Sequence, residues 1–161
     1  MSFTAKNGTR GARQPGGPLL RLMNGVIARR IRKGGKLIGG TEGLVLTTIG
    51  AKSGERRSTP LVWFPGDDGS WLIVASAAGA RRNPSWYYNI AAHPDQVQIQ
   101  IEGRTIPVTA AQLHGPEREA AWRAITAASA RFTKYQQQTD RTLPIIRLTT
   151  RIPGAPAPHG G

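Results

Sequence analysis

Lys52, Arg56 and Arg57 lie within six consecutive residues, flanked by Gly50 and Gly54 and by the hydroxyls of Ser53 and Ser58. Fixed cations beside exposed backbone amides are what a phosphate or a carboxylate needs. Solvated turns favour the same residue types, so the segment alone leaves both readings open. It is not a P-loop, because Gly50-Ala51-Lys52-Ser53 lacks the first glycine at the required distance. A second cationic pair, Arg81-Arg82, directly precedes Asn83-Pro84. Asparagine followed by proline suits a helix start, where free amides again attract anions. Between the two basic loops runs Ala75-Ser76-Ala77-Ala78-Gly79, where a planar ring could approach the backbone closely because little side chain obstructs it. Trp86, Tyr87 and Tyr88 follow, and such a run more often packs a core than touches a ligand.

Other chemistry is poorly provided for. The chain has no cysteine, which excludes disulfides, thiolate metal sites and a cysteine nucleophile and favours an intracellular home. His93, His114 and His159 stand far apart without metal-ligand spacing, so no metal site is expected. There is no Gly-x-Ser-x-Gly and no His-Glu-x-x-His, and the nine acids fall mostly in turns. Hydrolytic machinery is therefore absent. Redox chemistry would have to be borrowed from a bound cofactor, for which position and electrostatics are the protein's share of the work.

The elements that must position these residues can be read from periodicity. Residues 44–49 and 59–64 predict two β-branched strands, a hairpin with the cationic segment at its tip. Pro65-Gly66-Asp67-Asp68-Gly69 is a tight turn, so residues 71–76 should return as a third strand. Residues 86–92 predict a short helix capped by Asn83 and closed by His93-Pro94, and residues 97–101 and 105–110 a second hairpin around Glu102-Gly103-Arg104. A longer helix is expected over 116–130, and a sixth strand over 143–150 with Pro144 at an edge or a strand start. Six short strands without strand-helix alternation predict a mainly β protein with helices, a six-stranded antiparallel barrel.

Charge divides the chain further. Formal net charge is +13, and residues 1–36 hold nine basic side chains and no acid, whereas residues 37–161 hold 13 basic and nine acidic ones. Residues 1–18 read as a mobile arm, and the apolar set Leu19, Leu22, Met23, Val26, Ile27 and Ile31 makes residues 18–33 an amphipathic basic helix stopped by Gly34-Gly35. The expected organisation is thus a basic arm and helix over 1–36, a barrel over 37–151 and a disordered tail over 152–161. No apolar run reaches the roughly 18 residues of a membrane span, and no secretory signal is read. The expected location is cytoplasmic, with peripheral contact at an anionic membrane left open by the basic helix. Nucleic acid is not expected, because Trp63, Phe64, Trp71 and Trp86 do not interleave with basic residues along exposed strands.

Four blocks occur in an order and spacing that resemble a known family. They are Leu46-Thr-Thr-Ile-Gly-Ala-Lys-Ser-Gly-Glu-Arg-Arg-Ser-Thr-Pro-Leu61, Ala75-Ser-Ala-Ala-Gly79, Asn83-Pro-Ser-Trp-Tyr-Tyr-Asn89 and Tyr135-Gln-Gln-Gln-Thr-Asp-Arg-Thr-Leu-Pro144. Over residues 40–150 the chain resembles the deazaflavin-dependent nitroreductase and quinone reductase family. The resemblance implies a split β-barrel like that of FMN-binding proteins. It also implies coenzyme F420 rather than FMN, a cofactor whose deazaflavin ring delivers hydride and whose tail carries a phosphate and glutamates. By the same resemblance Lys52, Ser53, Gly54, Arg57, Ser58, Thr59 and Pro60 would hold the phosphate end. Ala75, Ser76, Ala77, Ala78, Gly79, Trp86, Tyr87 and Asn89 would border the ring. Tyr135 and Ser76 are assigned to the catalytic step, Tyr135 as the group that orients a small acceptor such as a quinone, nitro or enone compound. Relatives often place several tyrosines in the segment before the last strand, where this chain has Tyr135 alone. The competing reading is a non-catalytic flavin, haem or lipid-binding barrel at an anionic membrane. Nothing in the residues speaks to oligomeric state.

Overall fold

The computed structural model describes residues 3–14, 22, 24–29 and 43–151. Its strands are β1 (Gly43–Ile49), β2 (Arg56–Val62), β3 (Phe64–Pro65), β4 (Trp71–Val74), β5 (Val97–Ile101), β6 (Arg104–Gln112) and β7 (Ile145–Thr150). The helices are α1 (Ser85–Ala92), α2 (Gly115–Ala128) and α3 (Ala130–Gln138). Every strand pairing is antiparallel, in the order β2-β1-β5-β6-β7-β4-β3.

That order dictates the shape. β2 and β3 occupy opposite edges although Trp63 alone separates them. Laid flat, seven strands about 4.8 Å apart would hold their edges roughly 29 Å from each other. Two residues of chain reach only about 7 Å. The sheet must therefore curl until its edges meet, which makes the fold a split β-barrel. The strand count is seven rather than the expected six, because the second strand ends at Val62 and crosses at Trp63 to pair Phe64 with Leu72 of β4.

Inside the barrel pack Leu44 and Leu46 of β1, Ile73 of β4, Val97, Ile99 and Ile101 of β5, Val108 and Ala110 of β6, and Ile146 and Leu148 of β7, with Trp86, Tyr87 and Ile90 of α1 among them. β5 shows the strict alternation of a half-buried strand. β1 does not, because its outward Val45 is covered by Ala28 and Ile27 of the helical residues 24–29. β4 and the first part of β7 are also covered on both faces. Their outward Leu72, Val74 and Ile145 pack with Ile125 of α2 and Phe132 of α3 in a second core. This explains the continuous apolar run of β4 and the adjacent Ile145 and Ile146 that open β7.

Three further expectations are corrected. Residues 3–14 were expected to be a mobile arm, yet they lie along the barrel: Phe3 meets the edge of Tyr87 at 5.8 Å, and Ala12 bridges Ala80 in parallel. Gly11 allows this, since a Cβ there would stand 2.4 Å from the Arg81 nitrogen. Asn83 does not cap α1; Pro84 holds that position, and the Asn83 side chain is turned to Arg141. The helix expected over 116–130 is present as α2, but it ends at Ala128, and Ser129, at an extended φ of −147°, starts α3, which was not expected. Pro144 stands immediately before β7 as one alternative expected, but β7 is internal rather than an edge. The expected limits of the basic helix and the tail after residue 151 lie outside the described residues.

Candidate functional site

The turn between β1 and β2 is closed by its own backbone, Gly50 N–H donating to the Glu55 carbonyl at 2.7 Å and Gly54 N–H to the Gly50 carbonyl at 2.9 Å. Gly54 sits at φ +72°, a region open to glycine. α1 fixes this tip. Asn89 accepts from the Ala51 N–H at 3.0 Å and donates to the Thr48 hydroxyl at 3.2 Å. Lys52, Ser53, Gly54, Arg56, Arg57 and Ser58 are all exposed, while Thr59 and Pro60 are half-buried farther along β2. Ser58 is engaged with Thr47 at 3.1 Å, and Arg57 meets Glu55 at 3.1 Å in an exposed pair. The tip is thus a built turn carrying outward cations, one of them partly satisfied by its own acid.

The second predicted segment follows β4. Ala75 is buried, Ser76 is in the right-handed helical region, and Ala77 and Ala78 then take φ values of +45° and +56° before Gly79 at +81°. Alanine in the left-handed region costs on the order of 1 kcal/mol or more per residue, so the surroundings must hold this loop. The holder is Arg141, only 3% exposed. Its Nε donates to the Ala80 carbonyl at 2.8 Å, Nη1 to the Ala75 carbonyl at 3.0 Å and to Asn83 Oδ1 at 2.7 Å, and Nη2 to the Ser76 carbonyl at 2.7 Å. Burial pulls its pKa down to about 10, against a smaller opposing influence from Tyr88. The guanidinium therefore stays charged at neutral pH.

The remaining predicted residues divide between two neighbourhoods. Tyr135 is half-buried on α3, edge-on to Phe132 at 5.6 Å. Its backbone lies against the small-residue loop, for a Cβ built on Gly79 would stand 2.7 Å from the Tyr135 carbonyl oxygen. Trp86 is buried in the barrel core. Tyr87 is 2% exposed and faces away from the cationic tip: its hydroxyl donates to Gln112 Oε1 at 2.6 Å and accepts from the Ala5 N–H at 3.0 Å. Desolvation raises its pKa. The structure thus joins Asn89 to the cationic tip and Tyr135 to the 75–79 loop, and gives Tyr87 to the N-terminal segment.

That segment closes over the back of the loop. Gly8 N–H donates to the Arg81 carbonyl and Ala12 N–H to the Gly79 carbonyl, at 2.8 and 2.9 Å. Asp140 accepts from the Thr9 hydroxyl and from the Thr9 and Arg10 N–H groups, which together hold its pKa near 2. Two clefts of about 510 and 440 Å³ border the segment, the smaller one carrying Arg10, Arg81 and Arg82. Sequence reasoning missed the roles of Arg141, Asn83, Asp140 and residues 3–14. Arg141, Asp140 and Asn83 stand inside the resembling blocks, which was the available signal; residues 3–14 had none in local pattern.

Comparison with known proteins then adds a family. A family model described as F420H(2)-dependent quinone reductase matches residues 6–150. The chain is 37% identical over 143 residues to an F420H(2)-dependent quinone reductase of Mycobacterium tuberculosis, covering 86% of this chain and 95% of that one. Among solved structures, one described as an F420-H2 dependent reductase aligns with a TM-score of 0.59 at 37% identity, over 66% of this chain and 93% of that chain. Another, described as a domain-swapped dimer, aligns with a TM-score of 0.61 at 30% identity, over 81% and 96%.

Proposed function

We propose, for a chain that belongs to the F420H(2)-dependent quinone reductase family, that the cationic tip, the 75–79 loop and α1 hold the cofactor beside a small quinone. The chain is an F420H2-dependent reductase, and coenzyme F420 is its cofactor. The donor set fits that group. Exposed Lys52 and Arg57 on a pinned turn suit a phosphate and its glutamates, and a loop bearing little but methyl groups suits a planar ring. When bound, the deazaflavin supplies the hydride.

In this reading Lys52, Ser53, Gly54, Arg57, Ser58, Thr59 and Pro60 hold the phosphate end. Ala75, Ser76, Ala77, Ala78 and Gly79 support the ring, and Trp86 backs it from the barrel core. Asn89 acts by fixing the tip, whereas Tyr87, its hydroxyl engaged with Gln112 and Ala5, contributes packing. Tyr135 and Ser76 orient the acceptor oxygen that takes up a proton as the quinone is reduced. The observation that carries the reading is the contact of Gly79 with the Tyr135 backbone, which brings the ring loop and the acceptor residue into one neighbourhood.

The test is a fluorescence titration with oxidised F420, with FMN and haem as competitors, followed by turnover with a soluble quinone, a nitro compound and an enone. A lost charge-assisted contact is worth about 1.5–3 kcal/mol, so Lys52→Ala and Arg57→Ala should weaken F420 binding roughly tenfold to a hundredfold. Unchanged affinity in both variants removes the tip from the site, and FMN binding as tightly as F420 overturns the assignment.

A peripheral membrane position is a separate proposal. No helix among the described residues is long and apolar enough to cross a membrane. Leu22 and Val26, one helical turn apart, are 66% and 62% exposed beside the exposed Arg29, while Ile27 and Ala28 face the barrel. Such a face suits anionic lipid. Co-sedimentation with anionic vesicles should fall in high salt and in Leu22→Ser/Val26→Ser; equal pelleting with neutral vesicles rejects docking.

A further inference from the structure

We infer that Arg141 is a positioning residue for cofactor binding: its buried guanidinium imposes the shape of the 75–79 loop that receives the ring. The inference rests on the assignment of that loop to the ring. Arg141 donates to three backbone carbonyls, those of Ala75, Ser76 and Ala80, and to Asn83 Oδ1. It forms no ion pair with an acid among the described residues. A buried cation whose charge is met by carbonyl dipoles alone makes a poor stability device, because a well-packed apolar side chain serves as well or better. What it does well is fix direction. Its planar fork satisfies acceptors at set angles, and those acceptors belong to the two ends of one loop and to Asn83, two residues before α1.

The loop needs such a holder. Ala77 and Ala78 both occupy positive φ, where an alanine remains only when its neighbours determine the conformation. Drawing the carbonyls on either side of this pair onto the guanidinium orients the intervening backbone away from the buried charge. From the other side the N-terminal segment ties the Gly79 carbonyl through Ala12 N–H. Asn83 repeats the pattern, since its Oδ1 serves Arg141 while its buried Nδ2 has no partner among the described residues. That asparagine is kept at the expense of an unmet donor, which fits a role in placement better than one in packing. The guanidinium itself follows from this geometry: lysine at 141 would keep the charge but could not serve acceptors on both sides of the loop, because its ammonium lacks the guanidinium's span.

The deciding set is Arg141→Lys, Asn83→Ala, Ser76→Leu and Arg141→Lys combined with Ala77→Gly/Ala78→Gly, in the full chain. Each is followed by circular dichroism, oxidised-F420 fluorescence titration and amide hydrogen exchange. Arg141→Lys should keep the barrel signal, bind F420 at least about tenfold more weakly and speed exchange in residues 76–80 but not in β5 or β6. Its cofactor KM should rise more than its kcat falls. Glycines at 77 and 78 adopt positive φ without strain, so the combined variant should recover affinity at least about threefold, a rescue that a merely structural arginine would not give. Asn83→Ala, which withdraws one acceptor and leaves the charge, should weaken binding about threefold and serves if Arg141→Lys does not fold. Affinity within twofold of the parent in every folded member of the arginine and asparagine variants, or no rescue by glycine, overturns the inference. Ser76→Leu separates the premise: at φ −81° it adds bulk without strain. If it leaves F420 binding intact, the ring does not meet this loop and the underlying assignment fails; if it blocks binding while Arg141→Lys does not, only the inference about Arg141 fails.

Discussion

Asn89→Ala tests whether the cationic tip belongs to the site. Asn89 is 8% exposed and makes two hydrogen bonds, accepting from Ala51 N–H and donating to the Thr48 hydroxyl. Each is worth about 1 kcal/mol net. Water can replace Asn89 at the exposed Ala51, but Thr48, 1% exposed, keeps a buried hydroxyl with one partner fewer. The expected loss of stability is thus about 2 kcal/mol. For a chain of this size that lowers Tm by roughly 4–8 °C. The Ala51 half, about 1 kcal/mol, is what holds the tip in one conformation, so F420 affinity should fall about fivefold. Thr48→Val separates the halves, costing about 1 kcal/mol of stability while leaving the Ala51 bond and hence the affinity in place. Urea unfolding and fluorescence titration of the three proteins provide the readings. If Asn89→Ala is destabilised as expected yet binds F420 like the parent, the tip takes no part in binding and the coupling argument is wrong.

Glu55→Gln frees Arg57 from an exposed pair worth about 0.2–1 kcal/mol, so it should tighten F420 binding by up to about fivefold, an effect that fades with added salt. Weaker binding in this variant would mean that Glu55 itself supports the turn. Asp140 has its folded pKa lowered from 3.8 to about 2, chiefly by the Thr9 hydroxyl and then by the Thr9 and Arg10 amides. A depressed carboxylate contributes fully above its unfolded pKa and is lost as pH falls through the folded one. The Thr9 and Arg10 amides should therefore lose exchange protection between about pH 4 and pH 2, and Asp140→Asn should remove that pH dependence. Tyr135→Phe should lower quinone turnover while F420 affinity stays within about twofold, measured by steady-state kinetics beside titration; an equal fall in both would make Tyr135 a cofactor contact.

Local pattern determined much of this protein. Alternation in Val97–Ile101, the β-branched run of β1 and the Glu102-Gly103 turn, where both residues take positive φ, specified their strands because period and turn chemistry act over a few residues. The same was true of the cationic tip: residues 52–57 are neighbours in sequence, so their charge density was visible before any fold. What tertiary structure decided were contacts between distant segments. The crossing at Trp63 follows from barrel closure, which no window of residues encodes, and β1 escapes alternation because the helical residues 24–29 cover Val45. Asn83 looked like a cap, since asparagine before proline usually is one, until Arg141, 58 residues away, took its oxygen. Residues 3–14 showed no period and so read as an arm. They are held by backbone hydrogen bonds to residues 79–81 and by Asp140, and such bonds depend on where two chain segments meet rather than on the composition of either. Charge and small size can be read along a chain, but the partner of a buried polar group is chosen by the fold that buries it.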